Sequence, residues 1–163
     1  MQIHPYWGNV GQDWAGFSSD ITFNHSFFQG SDIEIFLGEE FDEDGDEIEE
    51  APTSAQLDGF AATYQHFMNN MESCLDELCQ KAFERYQRLY AHYYEHTEES
   101  GEPPLNVDTI DKHDPYIKEL MYLRVLEGHT VKLTIRYELD TEHGMEFRFE
   151  NGLIAAVGGI ATT

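Results

Sequence analysis

Residues 120–161 fall into four runs, "LMYLRVLEG" (120–128), "TVKLTIRYELD" (130–140), "GMEFRFENG" (144–152) and "LIAAVGGIA" (153–161), separated by glycine-containing turns. Their length and short period predict four strands in an antiparallel meander. Asn151-Gly152 strengthens the last connection, because this pair tolerates the positive φ angles of a tight hairpin turn. Upstream, Asp114 to Lys118 predicts a short helical turn.

The period changes before that point. Leu57, Phe60, Tyr64, Phe67, Met71, Leu75, Leu78, Ala82, Tyr86, Leu89 and Tyr93 recur at spacings of three and four. This describes one helix, or two meeting near Asn69 and Asn70, with the apolar stripe turned to a core. Pro52 stops any preceding strand, and Thr53 or Ser54 can cap the helix start. "EESGEPPLN" (98–106) breaks the helical pattern, so 97–107 is expected to be a linker within the domain. From Trp14 to Leu37, two strands joined by a turn near Gly30 fit the Ile, Phe and Thr content. Residues 1–13 are left as an N-terminal segment. The expected fold is α+β, a single domain over 1–163: a mostly antiparallel sheet of two N-terminal strands and a four-strand meander, covered by a long helix or helix pair.

Between the N-terminal strands and the helix lies "GEEFDEDGDEIEE" (38–50), the heart of an acidic loop over 38–52. Glu39, Glu40, Asp42, Glu43, Asp44, Asp46, Glu47, Glu49 and Glu50 stand there without a basic residue among them. Nine like charges do not bury unpaired, so the loop is expected to protrude. A calcium-loop spacing fails: counting from Asp42 puts Glu47 where the glycine belongs, and counting from Glu40 puts Ala51 where the bidentate glutamate belongs.

The whole chain carries a formal charge of −23, and residues 1–80 contain no Lys or Arg at all. Such a field repels nucleic acid and anionic lipid, and attracts basic proteins at rates that fall as salt rises. Length, 40% hydrophobic residues and 13% aromatic residues suffice for one folded core. With no leader-like start and no long apolar run, a cytoplasmic protein is expected. Cys74 and Cys79 lie within the helical pattern, where buried, reduced thiols are expected.

Two histidine arrangements invite chemistry. His92 and His96 stand four apart near the helix end and can face one metal, although Tyr93 occupies the place of a general-base glutamate. In "LDTEHGMEF" (139–147), Asp140, Glu142 and His143 precede Gly144. A carboxylate there can polarise the imidazole, most simply Glu142 in a hydrolase; the same residues also build tight turns. No nucleophile motif, phosphate loop or cofactor signature accompanies them.

Two segments together, "PTSAQLDGFAATYQHFMNNMESCLDELCQKAFERYQRLY" (52–90) and "YELDTEHGMEFRFENGLIAAVG" (137–158), resemble an uncharacterised bacterial domain family. Its members pair a T-x-x-Q helix start and a tyrosine-rich helix end with a terminal W-D-x-E-H-G hairpin. Matching positions are Thr53, Gln56, Asn70, Tyr86, Tyr90, Asp140, Glu142, His143, Gly144, Asn151, Gly152, Val157 and Gly158. Leu139 stands where the motif carries Trp. The resemblance spans roughly residues 14–160 and implies a binding function. Families of this small acidic kind stand beside contact-dependent toxins as immunity proteins, and no catalytic residue comes with the likeness. Charge and resemblance together give one expectation: a non-enzymatic immunity protein without cofactor that sequesters a basic toxin domain, such as a nuclease, through Glu39 to Glu50 with Trp7 and Trp14 at the contact. An acidic adaptor or nucleic-acid mimic that meets another basic protein, and a metal-dependent enzyme, are the alternatives. Oligomeric state is left open.

Overall fold

A computed structural model describes residues 2–163. Eight strands lie side by side in chain order: β1 (Gln2–His4), β2 (Gly8–Asp13), β3 (Gly16–Phe23), β4 (Ile33–Leu37), β5 (Leu120–Leu126), β6 (Thr130–Ile135), β7 (Met145–Glu150) and β8 (Leu153–Gly158). Every neighbouring pair is antiparallel except β4 and β5. A parallel pair needs a crossover, and residues 38–119 supply it. That crossover carries the acidic segment and then α1 (Ser54–Asn69), α2 (Met71–Leu89), α3 (Ala91–Tyr94), α4 (Thr97–Ser100) and α5 (Ile110–His113), followed by a 3-10 turn over Asp114–Ile117.

The C-terminal meander and the helix pair broken at Asn70 follow the sequence pattern, whereas the N-terminal half holds four strands rather than two. Of the segment 1–13, Met1 lies outside the described residues and most of the rest forms β1 and β2. Short runs of Gly, Asn and Gln hide these strands from an apolar-alternation reading, because their stabilisation comes from ladder hydrogen bonds and from Trp7 and Val10 sinking into the core.

One face of the sheet is the core. Ile35 and Leu37, Leu123 and Val125, Val131, Leu133 and Ile135, and Met145, Phe147 and Phe149 are buried there with Leu57, Phe60, Tyr64, Phe67, Leu75, Leu78 and Ala82 of α1 and α2. Each large side chain so buried contributes about 1.5–3 kcal/mol of transfer free energy. Thr53 starts α1 with a capping box: its Oγ1 accepts from Gln56 N at 3.1 Å, and Gln56 Oε1 accepts from Thr53 N at 2.8 Å. The T-x-x-Q start is thereby explained as satisfaction of two otherwise orphaned N–H groups. Cys74 and Cys79 are buried and unbridged, and burial pushes their thiols up to about 11 and about 12, out of the reactive range.

Among the described residues, no helix covers the opposite face. Register sets Phe36, Arg124, Lys132, Arg148 and Ala156 across it in one row, and Tyr122, Thr134, Glu146 and Gly158 in the next.

Candidate functional site

The acidic segment is a small hairpin. Phe41 bridges Glu47, Ile48 N donates to Glu40 O at 3.0 Å and Asp42 N to Asp46 O at 2.8 Å. At its tip Asp42 Oδ1 accepts from the N–H groups of Asp44 and Asp46, and Gly45 takes φ +83°. The backbone thus satisfies itself, which is why so charged a stretch holds a defined shape. Glu39, Asp42, Glu43, Asp44, Asp46, Glu47, Glu49 and Glu50 are exposed, and Glu40 is half-buried. Among the described residues none of the nine joins an ion pair. One face of the hairpin base, with Ile48 and Pro52, opposes Phe17, Leu37 and Phe60 across a cleft of about 330 Å³.

The two tryptophans part company. Trp7 is fully buried, its indole N–H donating to Leu57 O at 3.0 Å, so it belongs to the core and offers no contact surface. Tyr6 and Tyr64 pack against it at 5.0 and 5.6 Å between ring centroids, since an indole supplies large apolar area with one easily satisfied donor. Trp14 is 63% exposed on the β2–β3 turn and packs edge-to-face on Phe36 and Tyr122 of the helix-free face.

Arg124 fastens this turn to the hairpin. Its guanidinium donates to Ala15 O at 2.7 Å and Gly38 O at 2.8 Å, and lies over the rings of Phe36 and Tyr122 at 5.0 and 5.9 Å. Gln12 reaches Glu47 at 3.2 Å on the outer side. Trp14 and the hairpin therefore form one continuous surface. Tyr122, Phe41, Glu39 and Glu40 line a second cleft of about 190 Å³ along it. Arg124, Tyr122 and Phe41 were not among the sequence candidates. The signal for the first two was their parity on β5, opposite to that of the core residues Leu123 and Val125.

The E-H-G turn is held from the helix end. Tyr90 donates to Asp140 Oδ2 at 2.8 Å, and Asp140 takes the backbone N–H of His143 and approaches its Nδ1 at 3.0 Å. The carboxylate partner of the imidazole is thus Asp140, three residues back on the turn, while Glu142 points to solvent. Burial opposes the charge on Asp140, but these hydrogen bonds outweigh it and hold the carboxyl below its ordinary range. Tyr94 donates to Leu139 O, and Tyr86 to Glu95 Oε2 at 2.6 Å; Glu95 also accepts from the N–H groups of Asn106 and Val107. The tyrosines of the helix end are clamps on two loops. They also give the expected linker 97–107 a fixed path, begun by the single turn of α4. Gly144 has φ +64°, and an added Cβ would lie 2.4 Å from Ile160 Cδ1. Geometry of this kind serves a tight turn, and neither cleft described above reaches His143.

His92 and His96 lie near each other at 5.0 Å between ring centroids, their planes tilted by 40°, but His96 Nδ1 is engaged with His92 O and His92 Nε2 sits 3.4 Å from Glu99. Among the described residues no three His, Cys, Asp or Glu side chains converge as metal ligands, and no helix is long and apolar enough to cross a membrane.

A family model described as a domain of unknown function, DUF6985, matches residues 6–162, and the chain belongs to that family. No curated protein and no solved structure matches it.

Proposed function

We propose that this chain is a binding protein that neutralises a basic partner, a cognate bacterial toxin domain of the nuclease kind, in the cytoplasm and without chemistry of its own. The observation that carries this reading is the acidic hairpin: nine carboxylates, none of them in an ion pair among the described residues, displayed on a loop whose backbone is already satisfied. A nuclease is basic where it holds its substrate, so the surface that grips phosphate is the one that a polyanion covers. The likeness of Thr53–Gln56, the tyrosine-rich helix end and the E-H-G turn to families found beside toxin genes supports the same partner.

The test is kinetic. A basic protein of the nuclease kind, sought first among the products of the neighbouring genes, is mixed with wild type and with a variant carrying Asp42→Asn, Glu43→Gln, Asp44→Asn and Asp46→Asn, at low and high salt. Steering by unscreened charge fades beyond a Debye length of about 10 Å at 0.1 M salt. The variant is expected to associate at least about tenfold more slowly at low salt, with a flatter salt dependence and unchanged folding. Equal rates would overturn the role of the hairpin. Binding of a housekeeping basic protein in place of the toxin would replace the immunity reading with that of an adaptor.

A further inference from the structure

The surface beside the hairpin names the side chain that the partner must bring. Trp14 exposes 63% of its area although its turn is tied down by Arg124. Two carboxylates flank it: the indole N–H donates to Glu34 Oε1 at 2.9 Å, and the backbone N–H of Trp14 donates to Asp13 Oδ1 at 2.8 Å. Neither carboxylate joins an ion pair among the described residues. They also bear on each other. Burial, together with Asp13, pushes Glu34 up, and the hydrogen bond with Glu34 pulls Asp13 down. Both carboxylates thus converge on one indole residue with no counter-ion beside them among the described residues, a charge that an incoming cation relieves.

The rings beneath are already taken. Arg124 lies over Phe36 and Tyr122, and Trp14 meets both at interplanar angles of 88° and 80°. The exposed indole is the aromatic surface left for a second cation. Phe41, 52% exposed, lies further along beside Glu39 and Glu40, in a cleft where Arg124 and Lys132 already supply the cations, which leaves the Trp14 end as the place for another. A solvent-facing aromatic strip edged by carboxylates suits a flat, delocalised cation that stacks and forks onto oxygen, which is a guanidinium rather than an ammonium.

We propose that Trp14, Asp13 and Glu34 form the receiving site for an arginine side chain of the partner protein. This rests on the basic-partner reading above and deepens it: the hairpin carboxylates steer, and the arginine anchors at Trp14.

The site is tested by the indole N–H signals in ¹⁵N–¹H NMR spectra, of which there are two, Trp14 being assigned by Trp14→Phe. N-acetyl-arginine amide is expected to shift the Trp14 signal and leave that of buried Trp7 in place. The lysine amide should bind more weakly, and the uncharged citrulline amide should have no effect. Glu34→Gln should weaken the arginine amide about threefold to fivefold, with the Trp7 signal reporting an intact fold. An unmoved Trp14 signal, or equal shifts from citrulline or lysine, would overturn the site. With a basic toxin in hand, Trp14→Ala should speed dissociation and spare the association rate. A complex that depends on the hairpin but ignores Trp14→Ala removes the arginine site and leaves the partner reading standing. Arginine amide bound at Trp14 in a protein that binds no basic partner does the reverse.

Discussion

The hydroxyl of Tyr90, at the end of α2, donates to Asp140 Oδ2 at 2.8 Å across fifty residues of chain. This bond links the helix pair to the turn between β6 and β7, and Asp140 passes the constraint to His143. Tyr90→Phe is expected to cost about 1.5–3 kcal/mol at neutral pH, as for a hydrogen bond to a charged group. Because the folded carboxyl is held below its unfolded value, the contribution is present above the unfolded pKa and is lost as pH falls through the folded one. Urea denaturation of both proteins at pH 7 and at steps down through the acid range checks this: the gap should narrow as the pH falls, and a gap unchanged by pH would show that the phenol matters only as packing.

Gly144 and Gly45 both have positive φ, +64° and +83°, but their surroundings differ. An alanine Cβ at Gly144 would meet Ile160 Cδ1 at 2.4 Å and Ile135 O at 3.0 Å, whereas at Gly45 nothing lies within 4 Å. Gly45→Ala is expected to cost about 1 kcal/mol from backbone conformation alone, and Gly144→Ala about 2–4 kcal/mol, since backbone must also shift. Thermal melts of the two variants should separate by several degrees in that order. Equal losses would mean that Ile160 yields freely.

How much of this was legible follows from where each signal sits. The meander showed because Met145, Phe147 and Phe149 bury one parity of a strand, and the helix pair because its apolar stripe runs unbroken past Asn70. β1 and β2 did not show, since their residues make ladders and place Trp7 without any periodic pattern. Trp7 and Trp14 look alike in sequence; only the fold tells that one faces Leu57 and the other solvent. The link between Arg124, Ala15 and Gly38 joins segments more than eighty residues apart, and no local pattern announces it. The charge of the hairpin was legible, and its neighbour across the sheet was not.

His113 is fully buried between Phe83, Tyr86, Tyr116 and Tyr137, with Nε2 2.7 Å from the Tyr137 hydroxyl. Burial lowers its pKa from 6.5 to about 4. The folded protein therefore holds it neutral while the unfolded chain takes up a proton, so the stability present above pH 6.5 is lost as pH falls towards 4. The loss is on the order of 3 kcal/mol over that window. His113→Gln should be less stable at pH 8 yet lose this pH-dependent part. Denaturation curves for the two proteins at half-unit steps should converge as the pH drops, and parallel curves would show that the imidazole is not what titrates.

Arg124 is the cation that clasps the Trp14 turn to the hairpin, and its hydrogen-bond partners are carbonyls, not carboxylates. Burial pulls its pKa down, while Tyr122, Glu40, Glu39 and Glu146 act at a distance to sustain its charge. Lysine keeps that charge but lacks the planar fork that spans Ala15 O and Gly38 O together. Arg124→Lys is expected to cost about 1.5–3 kcal/mol through one abandoned carbonyl and a lost stack on Phe36 and Tyr122. Arg124→Met keeps the apolar stem and leaves both carbonyls unpaired by the side chain, so it should cost more than lysine does. Hydrogen exchange locates the effect. In Arg124→Lys, protection should fall first at Gly38 N, which donates to Val125 O, and at Ile48 N, which donates to Glu40 O, while α1 and α2 keep theirs. Loss spread evenly over the helices would make Arg124 a general core residue and would detach the Trp14 turn from the hairpin as a unit.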